Sequence, residues 1–410
     1  MNTSSLSRRG LLRGALAAGA AAATGPWASL SFGGVAAPGD NRLIVVVLRG
    51  GMDGLWTVPA VGDPDFAAAR GALAEYPSTP LPLQGPFALH PGFTRLHGLW
   101  RQQELVVVHA AGLPYKDRSH FDAQNVLEAG GERPYQLATG WLGRALAAGG
   151  QPGLALSTAV PLLMRGPKDV DTWAPSALPE PSADLVARLA RVYANDPALS
   201  GALMRAQGLR SDMPMTGGNT MAPMMAANAG GKGANGLLPA YTRKAAEFLL
   251  QPKGPRIVML EQGGWDSHAN LTNDKSAFLN NLHQLDESLG LLRDMLGAPE
   301  ANGLWGRTVV LVATEFGREV AINGTRGTDH GTGGAAFVLG GAVRGGRVLA
   351  DWPGLAKADR YEGRDLKITT DLRAVFKGVL ADHLRIARGP LDKDVFPGTD
   401  GLKLPELVRA

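Results

Sequence analysis

Eight histidines and no cysteine leave nitrogen and oxygen as the strong donors with which this 410-residue chain could hold a metal. Asp266 and His268, in Gly263-Gly264-Trp265-Asp266-Ser267-His268, pair a carboxylate with an imidazole just after an apolar run. Such a pair at the end of a buried strand suits a divalent ion. Two further loops add candidate ligands near strand ends: Glu315 in Thr314-Glu315-Phe316-Gly317-Arg318, and, fourteen and fifteen residues beyond it, the acid and imidazole of Asp329-His330-Gly331-Thr332-Gly333-Gly334. Three such loops together raise the expectation of one shared site. In Arg49-Gly50-Gly51-Met52-Asp53-Gly54, Asp53 is either a hard oxygen ligand or a helix cap. Ser119, in Lys116-Asp117-Arg118-Ser119-His120-Phe121, stands where a helix begins. There a serine caps, or it aims its hydroxyl at an anion that Lys116 and Arg118 would attract. His283 and His383 fall in helical stretches and are expected to be ordinary core or surface residues.

These loops need a scaffold, and the apolar pattern provides one. Runs over 43–48, 105–109, 256–260, 308–313 and 336–339 are bounded by turns and read as buried strands. Helical periodicity covers 93–103, a segment from Ser119, and 275–296, where Phe278, Leu282, Leu285, Leu289 and Leu292 share a face. Alternation of the two predicts an α/β fold, a doubly wound, mostly parallel sheet whose ligands gather beyond the carboxyl ends of the strands. Residues 200–236 break the pattern with six of the eleven methionines and a Gly/Asn/Ala-rich run, and read as an inserted lid or cap segment. The methionines lack the histidines that a copper site would want. Gly231-Lys232-Gly233-Ala234-Asn235-Gly236 follows no strand, which removes it as a dinucleotide fingerprint.

The amino terminus is of another kind. Ser7-Arg8-Arg9-Gly10-Leu11-Leu12-Arg13, a short Ala/Gly-rich apolar stretch and small residues up to Ala37 read as an export leader of the twin-arginine type over residues 1–37. The stretch is too short and too rich in Ala and Gly for a membrane anchor. Its removal takes three arginines away, leaving 38 basic against 37 acidic side chains. Charge then implies no nucleic-acid or acidic-membrane partner. The expected destination is the periplasm or the medium. With 45% apolar residues, 38–410 can bury one large core.

Taken in order, the motifs resemble those of the exported bacterial family known as domain of unknown function 1501. They are Leu-Arg-Gly-Gly-x-Asp-Gly ending at Gly54, Arg118 to Phe121, Gly263 to His268, Thr314 to Arg318 and Gly327 to Gly331. Gly340-Gly341, Gly345-Gly346, Trp352-Pro353-Gly354-Leu355, Thr369-Thr370-Asp371-x-Arg373-Ala374-Val375 and Phe396-Pro397-Gly398 complete them. That family resembles the alkaline phosphatase and sulfatase superfamily. The resemblance implies that Asp53 bridges a metal to a nucleophile, that Ser119 is the nucleophile, and that Asp266, His268 and His330 are ligands. Phe316 departs from the pattern, because the strand-end pair is commonly Asp-His and phenylalanine cannot ligate. One metal or a rearranged pair is therefore expected, drawn from Asp53, Asp266, His268, Glu315, Asp329 and His330, with zinc, manganese or calcium as the ion. Sulfatase chemistry through formylglycine does not fit Ser119-His120-Phe121-Asp122-Ala123.

The expected activity is hydrolysis or transfer at a phosphate, phosphonate or sulfate ester, small or polymer-linked. Ser119 would attack, Arg318, Arg118 or Arg49 would neutralise the anion, and His120 or His268 would deliver the leaving-group proton. The alternative, motivated by Phe316, is a non-catalytic envelope binding protein with a degraded site. A lipase-like serine hydrolase is weaker still, since no Gly-x-Ser-x-Gly occurs.

Overall fold

The computed structural model describes residues 40–175, 181–211 and 237–409. The leader and the Gly/Asn/Ala-rich part of the expected insertion lie outside them. Within the described residues the chain alternates strands and helices as its apolar pattern predicts. The strands of the main sheet are β1 (Arg42–Leu48), β2 (Leu105–Gly112), β3 (Gly153–Ala155), β4 (Asp171–Thr172), β5 (Ile257–Gln262), β6 (Thr308–Thr314), β7 (Gly334–Leu339), β8 (Arg347–Leu349) and β9 (Thr370–Asp371). Their order is β8-β2-β7-β6-β1-β5-β3-β4, with β9 continuing the pairing along β2.

β1 lies at the centre, parallel to both β5 and β6, with Leu43 opposite Ile257 and Val309. All seven of its residues are buried. That follows from its two-sided environment: Ile44, Val46 and Leu48 enter one core, and Leu43, Val45 and Val47 enter the other. β7 alone runs against its neighbours, pairing antiparallel with β2 and β6. The chain from Thr314 to Gly334 makes no helical crossover, so it re-enters the sheet at the edge where β6 left it. The consequence is functional, because the connecting loop, His330 included, stays at the carboxyl edge of the parallel strands.

Helices cover both faces. The first face carries α1 (Gly54–Thr57), α2 (Phe66–Arg70), α3 (Thr94–Arg101), α8 (Leu238–Leu250) and α9 (Ala277–Leu296). The second carries α4 (His120–Ala129), α5 (Trp141–Gly149) and α10 (Leu372–Asp382). On α9, Phe278, Leu282, Leu285, Leu289 and Leu292 are all buried, as the periodicity predicts. Full burial of each such side chain contributes about 1.5–3 kcal/mol. Between the faces in sequence run α6 (Ala183–Val192) and α7 (Pro197–Ser211). The expected insertion thus begins as a regular helix, tied back by Arg205 to Asp171 at 2.9 Å. No helix among the described residues is long and apolar enough to cross a membrane.

Candidate metal centre

Four loops leave the carboxyl edges of β1, β2, β5 and β6, and their polar side chains meet. The loop after β1 approaches the loops after β5 and β6 so closely that Cβ atoms would not fit. One on Gly50 (φ +118°) would lie 2.5 Å from the Asp266 nitrogen, and one on Gly51 (φ +64°) 2.6 Å from the Phe316 ring. Trp265 is completely buried, edge-on to Phe278 of α9, which fixes the strand-to-loop turn that presents Asp266. The loops following β6 pair as a short ribbon: Gly317 N–H donates to Thr332 O, Gly331 N–H to Gly317 O and Glu319 N–H to Asp329 O, each at 2.9 Å. This ribbon carries His330.

Three imidazole nitrogens and one carboxylate oxygen converge there. His330 Nε2 lies 3.1 Å from His120 Nε2, 3.0 Å from His268 Nε2 and 3.3 Å from Asp266 Oδ1. Asp266 Oδ1 is also 3.4 Å from His120 Nε2 and 3.0 Å from His268 Nε2. His120, Asp266 and His330 place one ligand atom each within 4.8 Å of one another. His268 adds a donor on the more exposed side.

The second nitrogen of each ring decides what this cluster is for. His120 Nδ1 faces Glu315 Oε1 at 2.8 Å, His268 Nδ1 faces Asp329 Oδ1 at 2.8 Å, and His330 Nδ1 faces the Arg118 carbonyl at 2.9 Å. An ionised carboxylate and a backbone carbonyl only accept, so each Nδ1 carries the proton. A neutral ring then turns its Nε2 lone pair inward. Four acceptors packed at 3.0–3.4 Å repel one another unless a cation sits among them. Imidazoles oriented by carboxylates or a carbonyl are what metal-holding histidines require, so the donor set fits a divalent ion.

The ion pairs agree with this geometry. Burial opposes charge on His120, but hydrogen bonds to Asp266 and Glu315 outweigh it and raise its pKa to about 9. Burial also works against the Glu315 carboxylate, yet donation by His120, Gln124 and the Gly50 N–H lowers it to about 2. Asp266 is held far below the usual carboxylate range: burial pushes up, and His120, His330 and Arg318 pull down harder.

Several residues occupy roles other than those expected. Asp53 is not brought to the cluster: Oδ1 accepts from Trp56 N–H at 2.9 Å, capping α1, and Oδ2 accepts from Arg70 at 2.8 Å and Thr328 Oγ1 at 3.1 Å. With both oxygens engaged by buried partners, it reads as a cap and loop tie. Glu315 is a positioning residue, because Oε1 takes His120, Gly50 and Gln124 while Oε2 takes Thr314 Oγ1. Asp329 likewise orients His268, with Asn323 Nδ2 as a second donor at 3.2 Å. His120, expected as a proton donor, instead turns its Nε2 into the cluster, beside a Phe316 that carries no donor atom. Phe316 instead packs its ring 4.7 Å from that of His120 and 5.1 Å from that of His330.

Ser119 caps α4, accepting from Asp122 N–H at 3.5 Å, a long and weak bond. Arg318 is buried and clamps loops, donating to Gly51 O at 2.6 Å, Gly50 O at 2.5 Å, Thr328 O at 3.1 Å and Asp266 Oδ1 at 2.6 Å. Arg49 is held by Glu261 and Glu128, and Arg118 by Asp365 and Glu362. Arg318 has every guanidinium nitrogen engaged, whereas Arg49 and Arg118 each hold two carboxylates through two nitrogens and stay about a quarter exposed. The sequence signal that could have separated these roles is thin: all three arginines sit in glycine-bearing or charged loops.

Fold and site together define a doubly wound α/β protein with a His/Asp centre at the carboxyl edge of its sheet. The sequence profile of the family described as a protein of unknown function, DUF1501, matches residues 98–395, and the chain belongs to that family. No curated protein matches the chain. Solved structures similar to it include the phosphonate monoester hydrolase of Agrobacterium radiobacter, at 12% identity and a TM-score of 0.40 over 85% of this chain and 74% of that one. The lipoteichoic acid synthase LtaP of Listeria monocytogenes gives 11% and 0.36 over 87% and 76%. Murine ectonucleotide pyrophosphatase/phosphodiesterase 5 gives 11% and 0.29 over 67% and 57%, so the chain spans just over half of that protein.

Proposed function

We propose that the protein is an exported, metal-dependent hydrolase or transferase of phosphate, phosphonate or sulfate esters. The observation that carries the reading is the inward-facing set of Nε2 lone pairs on His120, His268 and His330 around Asp266, each ring pinned through Nδ1. Three nitrogens and one oxygen suit zinc better than calcium, which takes six to eight oxygens. A divalent ion there supplies Lewis acidity, which polarises the ester and favours an oxygen nucleophile.

The chain's own residues do the rest. Glu315 and Asp329 set the ring orientations, Arg318 holds Asp266 in place, and Phe316 excludes water from one side of the centre. Ser119 is the nucleophile in this proposal: it adjoins His120 in sequence at the start of α4, and the cap bond its hydroxyl accepts from Asp122 N–H is long, at 3.5 Å. The resemblance noted from the motifs supports the substrate class, and the leader supports a periplasmic or extracellular location.

A second reading has an observation in its favour. Arg318 is buried and committed to loop carbonyls and Asp266, and Arg49 and Arg118 each pair with two carboxylates, so the arginines of these loops already serve protein groups, as in a binding protein that kept a metal and lost turnover. Turnover of 4-nitrophenyl phosphate, 4-nitrophenyl sulfate and a phenylphosphonate ester by zinc-loaded protein separates the two. Hydrolysis abolished by chelator and restored by metal supports the enzyme; stoichiometric metal with no turnover of any of the three supports the binding protein.

A further inference from the structure

Beside the centre lies a cleft of about 560 Å³ that shares Asp266 and His268 with it and extends past Asn270 and Asn273 to Lys275 and Ser276. Its size suits a small-molecule ligand. No apolar side chain larger than alanine lines it, so an acyl chain or an aryl group would find no large apolar side chain to pack against. Amides, hydroxyls and an ammonium group would instead meet a hydroxylated, charged unit.

The charges are placed asymmetrically. Asp266 at one end is already answered by Arg318 at 2.6 Å and by the cation its neighbours call for. Lys275 at the other end makes no ion pair among the described residues; only its backbone N–H is engaged, by Asn273 Oδ1 at 2.8 Å. Asn273 and Asn270 are themselves locked by Asn273 N–H to Asn270 O at 3.1 Å, and Asn270 holds a left-handed conformation (φ +52°). The loop that presents the ammonium is therefore fixed relative to the centre. A long, unpaired cation at the far end of a polar cleft is the complement of a second negative charge on whatever occupies it.

We propose that this cleft is the subsite for a second anionic group of the substrate, carried on a hydroxylated unit such as a sugar ring, and that Lys275 recognises that group. The inference rests on the metal-dependent ester reading for the position of the first group. It narrows the substrate class to esters flanked by another negative charge, as in a sugar bisphosphate or a unit of a polyanionic chain. Monoesters of alcohols that carry no second charge would fill only half of the site.

The test is binding, measured by calorimetry on the zinc-loaded full chain with glucose 1-phosphate and glucose 1,6-bisphosphate. The wild type is expected to favour the bisphosphate by about tenfold, the size of one charge-assisted hydrogen bond. Lys275→Ala should erase that preference while leaving the monophosphate affinity unchanged, and Lys275→Arg should keep most of it. Equal or undetectable binding of the two sugars by the wild type, or a preference that survives in Lys275→Ala, overturns the proposal. The two readings fail separately. A Lys275-dependent preference in a protein that hydrolyses no ester keeps the subsite and removes the hydrolase, whereas ester turnover with no Lys275 effect on binding does the reverse.

Discussion

His120, His268 and His330 at the sheet edge and His90, His109 and His383 in the interior are the same side chain put to opposite use. In the interior at least one nitrogen of each ring serves the backbone. His109 accepts from Ala110 N–H at 2.7 Å and meets Val58 O at 2.9 Å, packed between the rings of Phe87 and Trp352. His383 meets Arg42 O at 2.8 Å, and His90 accepts from Gly92 N–H at 3.0 Å against Trp56. Burial lowers the pKa of each to about 4, so all three are neutral core residues. At the edge, one nitrogen of each ring is spent on orientation and the other is aimed at its neighbours. The number of histidines says little about a metal; the direction of the second lone pair says a great deal.

The largest effect should come from breaking the converging set. His120→Ala, Asp266→Ala and His330→Ala are each expected to reduce bound zinc from about one equivalent to background, measured by elemental analysis of purified protein. His109→Ala should leave the metal in place while costing stability. If an edge alanine retains full metal, or the interior variant loses it, the contrast between the two sets is wrong.

Next in size is Ser119→Ala, which separates holding a metal from using it. Ester turnover should fall to background with metal content unchanged, because Ser119 neighbours His120 in sequence and is not among the converging donors. Turnover at the wild-type rate would assign the attack to water and leave Ser119 as a cap, worth about 1 kcal/mol to α4.

How far these roles could be read beforehand varies with the distance over which each is decided. Strand runs and the apolar face of α9 are local patterns, and the sheet, its two cores and the Asp266-x-His268 and Asp329-His330 loops follow from them. The direction of β7 was not legible, since composition carries no strand polarity. Asp53 balanced between ligand and cap because the deciding partners are Arg70, on a helix the apolar pattern did not mark, and Thr328, 275 positions away. Glu315 looked like a ligand for the same reason: its oxygens are filled by Gly50, Gln124 and His120, all far off in sequence. His120 sat next to a serine that drew the attention, and only the fold shows which way its ring turns.

Glu315→Gln sharpens the comparison at the level of orientation. Removing the charge that anchors His120 Nδ1 should weaken zinc binding by about 10–100-fold, as loss of an outer carboxylate does elsewhere. Asp329→Asn should cost less, because Asp329 is about half exposed and screened by water. Competition with a chromogenic chelator measures both. An Asp329 variant that loses more metal than the Glu315 variant would place the tighter hold at His268.

The smallest effect belongs to the interior set and runs through pH. His90, His109 and His383 stay neutral in the fold down to about pH 4, whereas in the unfolded chain each takes a proton near its ordinary value of 6.5. Between those values the unfolded state binds more protons, so stability falls as pH drops, by about 1.4 kcal/mol per pH unit for each histidine at most. Urea unfolding of wild type and His109→Gln at pH 7 and pH 5 reads the difference. The variant should be less stable at pH 7, yet lose less than the wild type on acidification. An equal acid penalty in both would mean that His109 reaches a proton without unfolding, and that the interior histidines are not the closed set their hydrogen bonds describe.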